Sequence, residues 1–256
     1  MNRLKDKVVV LTGASSGVGK TTALMMAAEG AKLVLAARRQ EILDEVAAAV
    51  EAEGSEAIGV ATDVADPKAV ANLFAKAAER FGHIDVLVNC AGILEAGLPA
   101  IDKVKDEDLE RIIDTNTKGS IYCMREASRL MVAAGNGGSI INVASIAGLI
   151  GNGGAAYVAS KGAEIAVGRH AALRLNQNNI RVNNICPGSI NTPMNSGASA
   201  MPDMDLIAAL LKHADIQRQP MACEPEHVAY LIIYLASDES APVTGQNIVM
   251  DYGVNL

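Results

Sequence analysis

The stretch Val8-Val9-Val10-Leu11-Thr12-Gly13-Ala14-Ser15-Ser16-Gly17-Val18-Gly19 runs from a short apolar segment into one of helical character, and its reading decides the fold. VVVL has the length and β-branched content of a buried strand. The glycines that follow let the backbone turn sharply and approach a ligand closely. A helix opening at Gly19 then offers unpaired amides and the positive end of its dipole to an anion. Strand, glycine turn and helix in that order form a cradle for a pyrophosphate, with Gly13, Ser15, Ser16, Gly17, Val18 and Gly19 as the candidate contacts. The spacing is T-G-x-x-x-G-x-G, not G-x-G-x-x-G, and a glycine turn by itself also serves as a tight loop without a ligand. Its meaning depends on what surrounds it.

Outward from this turn, apolar runs alternate with amphipathic stretches. Strands are expected at Lys7–Leu11, Lys32–Ala36, Ala57–Ala61, Val86–Asn89, Ser139–Val143, Ile180–Cys186 and Asn247–Val249. Helices are expected at Gly19–Glu29, Ile42–Glu53, Pro67–Phe81, Asp106–Ala134 with a break near Asn116, Tyr157–Gln177 and Glu226–Ala236. This alternation predicts an α/β fold: a doubly wound parallel sheet of about seven strands with helices on both faces. Ligands of such sheets sit beyond the carboxyl ends of the strands. No Pro/Ser-rich linker or charge block divides the 256 residues, which read as a single domain, 1–256.

Composition narrows the function. Half the residues are apolar, with no Trp, so the core must be built from Ala, Val, Ile, Leu and Met. A formal charge of -7 argues against a nucleic-acid or anionic-membrane partner. The start, MNRLKDK, has no apolar signal region and no stretch is long enough to cross a bilayer, so a soluble, cytoplasmic protein is expected. Cys90, Cys123, Cys186 and Cys223 are widely spaced, without C-x-x-C or His at ligand spacing, and read as buried free thiols, with no metal site.

The chemistry concentrates at Tyr157-Val158-Ala159-Ser160-Lys161. On a helix, Tyr157 and Lys161 stand one turn apart on the same face. A free phenol titrates near 10, so proton transfer near neutrality needs a shift of roughly three units, about 4 kcal/mol, towards the phenolate. A neighbouring ammonium and the helix N-terminus supply that sign of effect. Ser145, a dozen residues earlier, stands where it could hold the oxygen being oxidised or reduced. A Tyr and a Lys on a solvated helix face is the plainer reading of the pair alone.

Taken together, the TGASSGVG turn, Asn89-Cys90-Ala91-Gly92, Ser145, the Tyr157/Lys161 pair and Pro187-Gly188 make the chain resemble the short-chain dehydrogenases/reductases along essentially its whole length. The resemblance implies a Rossmann-like domain that binds NAD or NADP and moves a hydride between nicotinamide and an alcohol or carbonyl carbon. It makes Tyr157 the general acid/base, and Lys161 the residue that lowers the phenol's pKa and bonds the nicotinamide ribose. Ser145 becomes the donor to the substrate oxygen, and Asn116 the residue that breaks the long helix and holds a proton-relay water. It assigns Asp63 and Val64 to the adenine, Asn89 to steadying the sheet, Ala91, Gly92, Pro187 and Gly188 to the cofactor wall, and Ile190 and Thr192 to the nicotinamide half. It also implies a substrate lid at 189–219 and a homotetramer or homodimer.

Three positions depart from the family pattern. The loop IAGLIGNGGAA between Ser145 and Tyr157 is one residue short, so a slipped register would put Ala144 at the serine position; the strand pattern of SIINVAS favours Ser145. Cys90 replaces a more usual second Asn, and Tyr252 interrupts an Asp-Gly-Gly ending. Cofactor choice rests on Leu35-Ala36-Ala37-Arg38-Arg39. An acidic residue for the ribose hydroxyls is missing at Ala37, and the Arg38 guanidinium suits a 2'-phosphate, so NADP is preferred and NAD possible. The expected substrate is a secondary alcohol or ketone: a small ketone, a sugar or polyol, or a 3-oxoacyl thioester. The rival expectation is a catalytically silent dinucleotide-binding sensor or scaffold.

Overall fold

Alternation along the strands sends apolar side chains to two opposite faces of one sheet. In β1 (Val8–Thr12), Val9 and Leu11 enter one core and Val10 the other; in β2 (Lys32–Ala37), Leu33 and Leu35 separate from Val34 in the same way. Both faces are therefore covered, as a parallel sheet requires. The computed structural model describes residues 2–196, 204, 206, 208 and 222–254. Its strands β1, β2, β3 (Ala57–Ala61), β4 (Val86–Asn89), β5 (Gly138–Val143), β6 (Ile180–Pro187) and β7 (Asn247–Met250) form a seven-stranded sheet in the order β3-β2-β1-β4-β5-β6-β7. Every pair is parallel.

Helices α1 (Gly17–Ala28) and α2 (Gln40–Ala52) cover the first face together with the helix Pro225–Ala236 near the end of the chain, through residues such as Met26, Leu43, Val46, Val228 and Ile232. Helices α3 (Pro67–Phe81), α5 (Gly119–Ala134) and α7 (Ala155–Leu175) cover the second, with Leu73, Phe74, Met124, Met131 and Ala172 in its core. The chain leaves β1 towards β2 on one side and resumes at β4 on the other, which opens a crevice above the carboxyl ends of these strands. The expected doubly wound fold is the observed one, with strand boundaries within a residue or two.

Two details differ from the sequence reading. The segment from α4 (Asp106–Ile112) to α5 is not broken at Asn116: it stays helical through a π-helical turn, Ile113–Lys118. A single inserted residue widens the turn and swings a side chain inward while the backbone bonding continues, a feature no apolar periodicity reports. The short helices α6 (Ala147–Ile150) and α8 (Pro193–Ser196) lay below the length at which periodicity can be read. Helix Pro225–Ala236 is α9. Most of the expected lid, 189–219, lies outside the described residues. Its two ends are joined by a bridge between Ile190 and Cys223, with Asn191 N donating to Cys223 O at 2.9 Å and Cys223 N to Ser189 O at 2.8 Å.

A line of buried amides crosses four strands. Asn89, Asn142, Asn184 and Asn247 stand opposite one another in register. Asn89 Nδ2 donates to Asn142 Oδ1 at 2.9 Å, Asn142 Nδ2 to Asn184 Oδ1 at 2.9 Å, and Asn184 Nδ2 to Asn247 Oδ1 at 2.8 Å. Buried amides need partners, so this line satisfies itself only in the native register. Gly168 of α7 lies directly on it: a Cβ there would overlap Asn184 Oδ1 and come within 2.9 Å of Asn142 Nδ2. Asn142→Ala strands a donor of Asn89 and an acceptor of Asn184, and urea unfolding should show a loss of about 2–4 kcal/mol. Asn247→Ala, at the half-buried end, should cost about 1 kcal/mol.

Candidate active site

The crevice above β1 and β4 is built from close backbone contacts. Gly13 adopts φ +70°, and a Cβ there would sit 2.8 Å from Ala91 N; at Gly19 a Cβ would overlap the Gly13 carbonyl oxygen. Only hydrogen fits at either place, so the turn after β1 lies against both the loop after β4 and the first turn of α1. Thr12 locks this approach: its Oγ1 accepts from Cys90 N and Ala91 N, each at 3.1 Å. The sequence reading passed over Thr12, although its place at the end of a buried strand marks it as a side chain with no solvent to bond.

A cavity of about 640 Å³ opens over these contacts. Gly13, Ser15, Ser16, Gly17, Val18 and Gly19 form its middle. Arg38, Asp63 and Val64, from the ends of β2 and β3, line one end, with Ala37 and Arg39 beside them. Ala91, Gly92, Tyr157 and Lys161 line the other, and Ile190 and Thr192 form part of the wall. Thr192 reaches across the turn: a Cβ at Gly17 would meet its Cγ2 at 3.3 Å. A middle of backbone amides at a helix N-terminus, flanked by two guanidiniums at one end and a phenol with an ammonium at the other, fits a dinucleotide: an anionic centre between two ring ends.

Five expected residues stand outside that wall. Asn89 belongs to the amide line within the sheet. Pro187 and Gly188 tie strand ends together: Pro187 O accepts from Ile146 N at 3.0 Å, and Gly188 N donates to Met250 O at 2.9 Å. Ser145 follows Ala144, which does line the cavity, and Ser145 Oγ accepts from Ala147 N at 3.1 Å. That bond leaves the hydroxyl proton free to donate elsewhere. Asn116, also off the wall, is buried beneath it and committed at both ends. Its Oδ1 accepts from Ile93 N at 2.9 Å, and its Nδ2 donates to Ile93 O at 2.8 Å and to Ser160 Oγ at 3.0 Å. The π-helical turn is what swings this amide in, and it braces the loop after β4 against α7.

Helix α7 carries the phenol and the ammonium. Glu95, fully buried, accepts from Tyr157 N at 3.2 Å and so ties the first turn of the helix to the loop after β4. Lys161 Nζ lies 5.9 Å from the centre of the Tyr157 ring. It donates to Val143 O at 2.8 Å and to the Glu164 carboxylate at 2.7 Å, with the two side chains 5 % and 2 % exposed. Burial opposes the ammonium, but the charge of Glu164 and the neighbouring Tyr157 outweigh it and raise the Lys161 pKa above its ordinary value. Burial pushes the Glu164 carboxyl up against the pull of Lys161. Glu164 was not singled out in the sequence. Its spacing held the signal: Tyr157, Lys161, Glu164 and Gly168 follow one another at i+4, i+3 and i+4, a single stripe facing the sheet.

The family profile described as Enoyl-(Acyl carrier protein) reductase matches residues 13–255. A 3beta-hydroxysteroid dehydrogenase of Mediterraneibacter gnavus is 34% identical over 99% of this chain and 96% of its own. A 3-oxoacyl-[acyl-carrier-protein] reductase of Thermotoga maritima is 37% identical over 98% of this chain and 99% of its own. The solved structure of a short chain dehydrogenase from Mycobacterium paratuberculosis bound to NAD superposes with a TM-score of 0.85 at 28% identity, covering 99% of each chain. The chain belongs to the short-chain dehydrogenases/reductases. As a member of that family it is an NAD(P)-dependent oxidoreductase of CH–OH and carbonyl carbons, and nothing in the comparisons favours a silent sensor or scaffold.

Among the described residues no helix is long and apolar enough to cross a membrane, and no group of three or more His, Cys, Asp or Glu is placed to hold a metal ion. All four thiols of this dehydrogenase are free; Cys123, Cys186 and Cys223 are buried as expected, whereas Cys90 is only half-buried, because it lies in the cavity wall. Burial pushes Cys90 and Cys123 up to about 12 and Cys186 to about 11, and raises Cys223 as well. The reactive thiolate is thereby suppressed, so at about pH 8 the native protein should be alkylated by iodoacetamide at least about 100-fold more slowly than the urea-unfolded chain. Peptide mass spectrometry reads each site. Fast labelling of Cys90 in the native protein would contradict the packing of the loop after β4.

Proposed function

We propose that residues 1–256 act as one NADP-preferring oxidoreductase domain that interconverts a secondary alcohol and its ketone, with Tyr157 as acid/base. The observation that carries this is the juxtaposition, on one turn of α7 and in one cavity wall, of the Tyr157 phenol and the buried Lys161 ammonium. The bound nicotinamide supplies or accepts the hydride. Tyr157 Oη gives the carbonyl oxygen its proton in reduction and takes it in oxidation. Ser145 donates its free hydroxyl proton to the same substrate oxygen as negative charge develops there. Lys161 bonds the nicotinamide ribose. Asn116 holds the loop after β4 in place through Ile93, and with it the floor formed by Ala91 and Gly92.

The NADP preference rests on Arg38. It and Arg39 are exposed at the cavity rim, neither has an ion-pair partner among the described residues, and Ala37 offers no carboxylate to the ribose. Two donors in a fork match a 2'-phosphate. The relative solved with NAD favours the competing reading, in which Ala37 accepts either cofactor. On the substrate side, Leu149 and Ile150 just after Ser145, and Met194 in the cavity wall, are exposed apolar side chains, which suits an organic alcohol with an apolar body. Exposed apolar side chains stand on α5 and α7 (Val132, Leu173) and on α9, β7 and the turn after it (Tyr230, Val249, Tyr252), which suits burial between subunits of a homotetramer. Free thiols and an acidic surface suit the cytoplasm.

A panel of ketones and alcohols, followed by nicotinamide absorbance, identifies a substrate. With it, Tyr157→Phe should lose about 10²–10⁴-fold in kcat while NADPH affinity, read by fluorescence titration, stays within about twofold. Ser145→Ala should lose about 10²-fold in kcat. A Tyr157→Phe protein with wild-type turnover ends this reading. Separately, kcat/KM should be at least about tenfold higher with NADPH than with NADH, and Arg38→Ala should remove most of that difference. Equal or better use of NADH by the wild type overturns the cofactor assignment alone.

A further inference from the structure

The Lys161–Glu164 pair goes beyond what the proton-transfer reading requires. An ammonium has three N–H donors. Two are fixed, one on Val143 O at 2.8 Å and one on Glu164 Oε2 at 2.7 Å, and Lys161 also lines the dinucleotide cavity. The third donor is the one left for the cavity. Gly92 stands on the near side, where an added Cβ would come into ordinary contact with Nζ at 3.7 Å. Both side chains of the pair are buried, 5 % and 2 % exposed, and the other titratable groups facing it are Cys90 after β4, Cys186 on β6 and Tyr157 on α7. The two thiols are neutral, Cys90 with a pKa of about 12 and Cys186 of about 11. Glu164 is thus the charge that answers Lys161 from inside the protein.

We propose that Glu164 is the positioning residue of this site: its carboxylate keeps the buried Lys161 ammonium charged and clamped, with one N–H directed at the dinucleotide cavity. The inference rests on Lys161 serving the cofactor, and it assigns the binding of that lysine to a residue that never touches the cofactor. Without the carboxylate, the largest influence opposing burial at Lys161 would be gone, and the lysine would lose its proton at a lower pH. Cofactor binding would then fail on the alkaline side, where the wild type still binds.

The test is NADPH binding by fluorescence titration from about pH 6 to about pH 10, in wild type, Glu164→Gln, Glu164→Asp and Lys161→Met. The wild-type Kd should change by less than about twofold between about pH 7 and about pH 9, whereas that of Glu164→Gln should rise at least about fivefold. Lys161→Met should bind weakly and without this limb, which identifies the limb as the titration of Lys161. Glu164→Asp keeps the charge but lacks one methylene of reach, so its limb should fall between wild type and Gln. If Glu164→Gln does not fold, the Asp variant decides: a Kd equal to wild type at every pH overturns the proposal, as would a flat profile in Glu164→Gln accompanied only by a lower Tm. Because binding is read without turnover, a Tyr157→Phe protein that stays active would refute the acid/base reading and leave this result standing.

Discussion

The amide line through Asn89, Asn142, Asn184 and Asn247 is the constraint on which the site depends. Within an otherwise apolar sheet each of these side chains is tolerated only while the next strand presents its own amide at the same level. A slip of one residue between β4, β5 and β6 would turn the amides into opposite cores and leave them unpaired. Helix α7 is seated on the line at Gly168, where the absence of a side chain lets the helix axis come down onto Asn184 and Asn142. Asn184 Nδ2 also donates to Ile165 O at 3.2 Å, so the line bonds the helix as well as the sheet. Glu164, Lys161 and Tyr157 follow at one-turn intervals from that seat. The height and rotation of the Tyr157 phenol are thus fixed from below, by contacts made in the middle of the sheet.

The same helix carries a second constraint from above. Glu95 holds the amide of Tyr157, and Asn116 bonds both the loop after β4, at Ile93, and Ser160 on α7, whose Oγ donates to Tyr157 O at 2.8 Å. Pinned at Gly168 and again at its first turn, α7 has little freedom to tilt. A buried ion pair is a weak source of stability in itself, since removing two charges from water offsets most of their attraction. Its persistence between two pinned turns is better understood as fixing where one proton donor points.

How much of this could be read in the sequence follows the range of each interaction. The strands, the glycine turn and the Tyr157/Lys161 spacing are local patterns, and they led to the doubly wound sheet and to the residues that line the cavity. The amide line could not be read: each Asn lies in a different strand, and its partner is decided by register, which is a property of the assembled sheet. Glu164 looked like an ordinary acidic residue on a helix of mixed polarity, because helix periodicity marks a buried face by apolar residues and this face is polar where it meets the site. Asn116 was found but its setting was misjudged: an Asn in a helical stretch suggests a cap or a break, whereas a π-helical turn keeps the helix and moves only the side chain. Ser145 lies two residues past β5, as the strand pattern of SIINVAS implies, and there its Oγ accepts from Ala147 N, the first residue of α6.

An acidic chain that holds a polyanionic cofactor poses an electrostatic problem, since the formal charge of -7 repels what the cavity must attract. The fold solves it over short distances. The turn from Gly13 to Gly19 carries no basic side chain, so what it offers an anion is backbone amides and the first turn of α1, whose partial charges fall off within a few ångströms and are little affected by the distant surface. Full charges are reserved for the two ends, Arg38 with Arg39 at the rim and Lys161 in the interior. The rim pair is exposed to solvent and screened by salt; Lys161 is neither. The interior cation therefore exerts the stronger field at its end of the cavity, but only while something buried with it keeps it protonated, and Glu164 is the carboxylate in contact with it that can do so.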